Sequence, residues 1–249
     1  MSFKDHFSAH ASEYARYRPH YPAEMFRHLA SLAPAHELAW DCATGNGQAA
    51  VALAPHFARV IATDASAQQI ANTEPDERVE YRAAPAEASG LGSHSIDLIS
   101  VAQALHWFDV PAFFAEADRV LKPGGVLAVS AYNLLTVAPE IDALVNRFYF
   151  ETTGPFWPPE REIVEASYRT IDFPFPELEL PPFQMQTQWE VDQLLGYLRT
   201  WSATKTCIAA NGYDPVESFG EELRRLWDNG EATREVRWPM TLRAFRKPQ

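Results

Sequence analysis

Two hydrophobic periods alternate through the first half of the chain. Apolar runs bounded by polar turns fall at 38–41, 59–64, 95–101 and 125–130, with a more mixed run at 78–83. Short apolar runs of this kind read as buried strands. Between them the spacing becomes helical: an Ala-rich stretch at 48–57, and a short one at 66–72 that Ser66 can cap. Farther on, Val110, Phe113, Phe114, Ala117, Val120 and Leu121 form one stripe opposite Glu116, Asp118 and Arg119. The K-P-G-G run at 122–125 stops that helix and turns the chain into a fifth strand. This alternation predicts an α/β fold, a parallel sheet with helices on both faces. Ligands in such sheets sit beyond the carboxyl ends of the strands.

From residue 131 the pattern changes. Pro155, Pro158, Pro159, Pro174, Pro176, Pro181 and Pro182 preclude long regular helices around them. Residues 183–189 alternate as a strand does. Residues 191–204 read as one helix, with Leu194, Leu195, Leu198 and Trp201 on a stripe, and 218–227 as another. Residues 236–246 read as a final strand in which Pro239 marks a bulge or an edge. The expected organisation is a ligand-binding core at 1–130 with an N-terminal helical segment, a mainly helical lid and substrate region at 131–232, and a strand at 233–249 that returns to the core sheet.

A chain of 249 residues with 47% apolar content fits one large domain or a domain carrying an insertion. The formal net charge of -12 argues against nucleic acid or an anionic membrane as partner. Cys42 and Cys207 make no disulfide framework. Residues 1–21 lack the apolar core of a signal peptide, and no apolar run reaches the roughly 18 residues of a membrane span. A cytoplasmic protein is therefore expected. No metal-ligand cluster stands out, since His6, His10 and His20 are not spaced on one face with acidic partners. Oligomeric state leaves no signal.

The chemistry concentrates after the strands. The run D-C-A-T-G-N-G-Q at 41–48 places Gly45 and Gly47 where a backbone must approach a ligand closely. With Ala50 it also satisfies the dinucleotide pattern G-x-G-x-x-A, and a plain strand–helix turn would look the same. Asp64, 19 residues after Gly45, suits ribose hydroxyls or a helix cap. An NAD(P)-dependent oxidoreductase thus stays open at this point. Asp41 favours a different ligand, because an anion there repels a pyrophosphate and suits a cationic sulfonium and amino-acid head. Q-A-L-H-W-F-D at 103–109 and L-K-P-G-G at 121–125 follow.

In this order the motifs resemble class I S-adenosylmethionine-dependent methyltransferases. Y-A-R-Y-R-P-H-Y-P at 14–22 and Y-L-R-T-W-S-A at 197–203 are similar to the trans-aconitate methyltransferase-like branch. The general resemblance covers roughly 10–130, and the branch adds the region near 178–205. It implies a Rossmann-like, doubly wound, mostly parallel seven-stranded sheet with an antiparallel last strand. It further implies S-adenosyl-L-methionine as cofactor and a small-molecule acceptor, with a carboxylate as the candidate. Asp41, Ala43, Gly45 and Gly47 would wrap the methionine and ribose portion, although many relatives have Gly where this chain has Ala43. Asp64 would take the ribose hydroxyls beside Ala65, and Ala86 and Glu87 would meet the adenine edge. Gln103 and Ala104 would line the methionine side, with Tyr14 and Arg18 closing over the cofactor. Trp107, Tyr132, Trp201 and Lys205 are the candidate acceptor contacts. His106 is the candidate catalytic base for a hydroxyl or amine acceptor, whereas a carboxylate needs none. The alternatives are the oxidoreductase, a noncatalytic adenosylmethionine-binding protein and a methyltransferase acting on protein.

Overall fold

The computed structural model describes residues 17–73, 75–227 and 232–249. Its centre is an eight-stranded sheet, of which seven strands follow one another in the order β3-β2-β1-β4-β5-β8-β6. β1 (Leu38–Cys42), β2 (Arg59–Asp64), β3 (Val79–Ala83), β4 (Ile96–Ala102) and β5 (Leu121–Tyr132) are parallel. β8 (Arg234–Arg246) runs antiparallel to β5. β6 (Glu177–Leu178) and β7 (Gln184–Trp189) both pair with β8. β1, β2, β4 and β5 are buried along nearly their whole length, as strands covered on both faces must be, whereas β3 at the sheet's edge is half-buried.

Helices α1 (Ala23–Leu32) and α2 (Gln48–Leu53) pack on one face through Phe26, Leu29, Ala50 and Leu53 against Val60, Leu98 and Val126. α3 (Ala67–Ile70) starts at Ser66, whose side chain accepts from the Gln69 N–H as its sequence position predicts. α4 (Val110–Val120) covers the other face through Phe113, Ala117 and Val120, beside the fully buried Trp40. Asp109 caps it by accepting from the Ala112 N–H. The K-P-G-G run ends α4 but lies within β5, where Gly124 takes φ +75° and the β4–β5 register shifts. Its Lys122 reaches back to the fully buried Asp97 at 2.8 Å, and Asp97 Oδ2 accepts the N–H groups of Glu37 and Leu38 that start β1.

A second core lies between residues 132 and 238. It is built by α5 (Pro139–Arg147), α7 (Val191–Arg199), α9 (Pro215–Trp227) and β7, while α6 (Arg161–Glu165) sends Val164 into the sheet's core and α8 (Ser202–Asn211) follows directly after Trp201 of the second core. The helix expected at 191–204 is two helices. The chain breaks at Thr200, whose hydroxyl donates to the Tyr197 carbonyl, and Trp201 then takes extended backbone as the cap of α8. α5 was not anticipated, although Ile141, Leu144, Val145 and Phe148 recur at helical spacing behind Pro139. Between 155 and 182 the prolines leave the short α6 as the only α-helix.

β8 belongs to both cores. Arg234–Pro239 pairs with β7, and Met240–Arg246 with β5, so Pro239 marks the exchange of partners. Just past β5, Asn133 N–H donates to the Pro239 carbonyl, and Thr136 and Arg237 exchange both backbone bonds. Among the described residues no helix is long and apolar enough to cross a membrane.

Candidate active site

Two adjoining cavities open at the carboxyl ends of the parallel strands. The larger, about 930 Å³, lies between the loops after β1, β2, β3 and β4. The smaller, about 70 Å³, lies between β5's end and the second core. Arg18, Gln103, Trp107 and Tyr132 line both, so a ligand in one meets a ligand in the other across these four side chains.

The loop after β1 is shaped by positive φ at Ala43 (+57°), Gly45 (+57°) and Gly47 (+90°). A Cβ at Gly45 would meet no atom within 4 Å, so this glycine leaves open space beside the cavity rather than relieving a clash. At Gly47 a Cβ would stand 2.6 Å from the Tyr81 hydroxyl oxygen, which excludes a side chain. The left-handed turn at Ala43 is where a glycine would be the unstrained choice. Asp64 ties this loop to the next: its Oδ2 accepts from Gly45 N–H at 3.0 Å and its Oδ1 from Ser66 N–H at 2.8 Å. Asp64 itself lines the larger cavity.

Asp41 is buried under the same loop. Thr44 Oγ1 donates to its Oδ2 at 2.6 Å, while Oδ1 makes no hydrogen bond of normal geometry. Burial pushes its pKa up to about 7, against the lowering influence of Thr44, Ala50 and Ser100. A buried carboxylate short of partners is a fitting neighbour for a cationic ligand, whose charge would restore its ionised form.

The structure gathers the other cofactor candidates at this cavity. Ala43, Ala65, Ala86, Glu87, Gln103 and Ala104 all line it. Glu87 Oε1 also accepts the N–H of Asp109, tying the loop after β3 to the start of α4. Gln103, at φ +58°, directs its amide at the Tyr132 main chain: Nε2 donates to the carbonyl at 3.1 Å and Oε1 accepts the N–H at 3.2 Å. That pair fixes the floor between the cavities. Arg18 Nη1 donates to the Tyr132 hydroxyl at 2.7 Å, and its guanidinium lies 5.4 Å from the Tyr197 ring centre. Tyr14 lies outside the described residues.

Of the acceptor candidates, Trp107, Tyr132 and Trp201 line the smaller cavity, as does His106. Lys205 lines neither cavity, because α8 begins at Ser202 and carries it past the rim. His106 Nδ1 lies 3.3 Å from the Tyr168 hydroxyl, and burial together with the Arg161 charge lowers its pKa to about 3. Tyr168 reaches it from backbone at φ +56°, an uncommon conformation for an aromatic residue. The smaller cavity also contains residues that the sequence did not assign to the site: Trp157, Arg161 and Tyr197, the first residue of the 197–203 motif. Arg161 Nε donates to the Tyr149 hydroxyl at 2.8 Å, and the guanidinium centre lies 5.2 Å from the Trp157 ring. Among the described residues, two arginines and no acidic residue line this cavity, in a chain of net charge -12.

Known proteins give the same picture from outside. Residues 40–129 match the family model described as a methyltransferase domain. A Dictyostelium discoideum protein named as a methyltransferase is 34% identical over 233 residues, covering 90% of this chain and 87% of the relative. A solved Anaeromyxobacter dehalogenans structure named as a type II methyltransferase is 45% identical, with TM-score 0.87 over 93% of this chain and 99% of that one. In fold alone, the chain is like a Haemonchus contortus phosphoethanolamine N-methyltransferase 2 solved with S-adenosylhomocysteine. That likeness has 17% identity and TM-score 0.51, over 100% of this chain and 61% of that one.

Proposed function

We propose the function from one premise: this chain belongs to the class I S-adenosylmethionine-dependent methyltransferases. Its acceptor, in our reading, is a small carboxylate held in the smaller cavity. The observation that carries this is the lining of that cavity, with two arginines and, among the described residues, no acid, joined to the larger cavity through Arg18, Gln103, Trp107 and Tyr132. The resemblance of 14–22 and 197–203 to the trans-aconitate methyltransferase-like branch supports the same acceptor class.

When bound, S-adenosylmethionine supplies a sulfonium methyl that passes to a carboxylate oxygen while the carbon–sulfur electron pair stays with sulfur, giving a methyl ester and a neutral thioether. The residues of this chain hold the two partners. In this reading Asp64 would receive ribose hydroxyls and Asp41 would face the cationic end. Gln103 fixes Tyr132 at the boundary, so the acceptor meets the methyl at a set depth, and alignment of this kind can supply roughly 7–11 kcal/mol of a barrier. An ionised carboxylate is already a nucleophile, so no residue has to take a proton. His106 fits that chemistry as a neutral wall of the cavity. With its pKa near 3 its basicity lies far from the neutral range in which a general base works best.

The test is incubation with S-adenosylmethionine and matched sets of small carboxylates, alcohols and amines, with products read by mass spectrometry. Methyl esters from the carboxylates, with no ether or N-methyl product, are expected. Turnover confined to alcohols or amines would refute the acceptor class and return His106 to consideration as a base.

A further inference from the structure

Resting on that reading, we propose that Arg161 is the anion-binding residue for the acceptor. The smaller cavity then selects planar, conjugated carboxylates over saturated ones of equal length.

The two cavity arginines are differently engaged. Arg18 spends Nη1 on the Tyr132 hydroxyl and lies over the Tyr197 ring. Arg161 is held by its inner edge alone. Nε donates to Tyr149 Oη, Tyr149 Oη donates onward to Glu165, and Glu165 Oε1 lies 3.9 Å from the same Nε. The guanidinium is further fixed over the Trp157 and Tyr149 rings, at 5.2 and 5.7 Å. Neither terminal amino group of Arg161 bonds an acceptor among the described residues. A fork with its near edge fixed and its far edge open is pre-organised for a carboxylate, since little freedom is left to lose on binding. Tyr149 itself lies in a π-helical turn, Phe148–Thr152, an irregularity that recurs at functional sites.

The remaining walls define the shape of the ligand. Trp157 and Trp201 are 5.5 Å apart between ring centres, Tyr197 and Trp201 5.8 Å, and His106 and Trp107 4.7 Å. All of these rings line the cavity. A flat conjugated acid offers π faces to such walls and keeps its carboxylate in the molecular plane, aimed at the fork. A saturated chain of the same length puckers and loses both.

Calorimetry on the protein loaded with S-adenosylhomocysteine tests this directly. The probes are sorbate, benzoate and trans-cinnamate, each beside its amide and its saturated counterpart: hexanoate, cyclohexanecarboxylate and 3-phenylpropanoate. At least one planar acid should bind about tenfold or more tighter than both its amide and its saturated partner. Arg161→Gln should weaken that acid by about 10- to 100-fold, the worth of a charge-assisted hydrogen bond, and leave the amide unchanged. Arg161→Lys, which keeps charge without the fork, should fall between them. Unaltered S-adenosylhomocysteine affinity in both variants is the control for folding. The inference is overturned if no planar acid binds, if amides or saturated acids bind equally well, or if Arg161→Gln binds the acid as tightly as wild type. Acid binding through Arg161 with no methyl ester formed would leave the anion site standing and sink the methylation reading. Ester formation by Arg161→Gln at unchanged KM would do the reverse.

Discussion

Replacing Asp41 with asparagine isolates the electrostatic cost buried beneath the glycine loop. In the unfolded chain this carboxyl ionises near 3.8, whereas in the fold burial holds its proton to about pH 7. Between those values the folded state binds more protons than the unfolded state, so stability falls as pH rises. One pKa unit is worth 1.36 kcal/mol, so the whole window is worth about 4 kcal/mol, and the part between pH 5 and 8 about 3 kcal/mol. Asp41→Asn removes the titration with almost no change of shape. Whatever constant offset the substitution brings, the stability difference should move in the variant's favour by about 3 kcal/mol from pH 5 to pH 8. In a chain of this size that is roughly 6–12 °C of melting temperature. His106 titrates in the opposite sense: its folded pKa is depressed, so the fold loses stability as pH falls below 6.5 toward 3. That contribution is common to both proteins and cancels in the difference. Urea unfolding of both proteins at pH 5, 6, 7 and 8, without ligand, measures it. A difference that stays flat with pH would mean that Asp41 is ionised in the fold throughout, and the reasoning would fail. The same site links to the cofactor. Wild-type affinity for the sulfonium should rise as pH climbs through 7, and that rise should vanish in the variant.

Two further substitutions test the loops. Gln103→Ala removes both hydrogen bonds to the Tyr132 main chain and should cost about 2 kcal/mol; at φ +58°, Gln103→Gly should be about 1 kcal/mol more stable than the alanine variant, the reverse of the usual order. Chemical denaturation of the pair decides this, and equal stabilities would remove the backbone argument. Lys122→Met leaves the buried Asp97 without its cation and should cost about 3 kcal/mol, read from the same unfolding curves; a neutral result would show that Asp97 is satisfied by the Glu37 and Leu38 amides alone.

The loops after β1 and β2 were legible because local rules shape them. A strand, a left-handed turn and a helix occupy consecutive residues, so Gly45, Gly47 and Asp64 announce themselves by spacing. Pro239 was read as a bulge or edge and proves to be the point where β8 changes partners. The smaller cavity obeys no such spacing. Arg161 reaches the cavity only because Tyr149, 12 residues earlier, and Trp157 bracket its guanidinium. No periodicity records that encounter. The break at Thr200 was hidden because neither Gly nor Pro marks it. α5 could have been read: Ile141, Leu144, Val145 and Phe148 carry the pattern, and the later prolines drew attention from it.

β8 has a mechanical consequence. Its 13 residues are one ribbon, zipped to the sheet by its second half and to β7 by its first. Swinging the two cores apart as rigid bodies would strip one of those ladders, at about 1 kcal/mol for each bond left unmade. The strand therefore acts as a rivet, not a hinge. The two cores should therefore share a single cooperative fate when the protein melts.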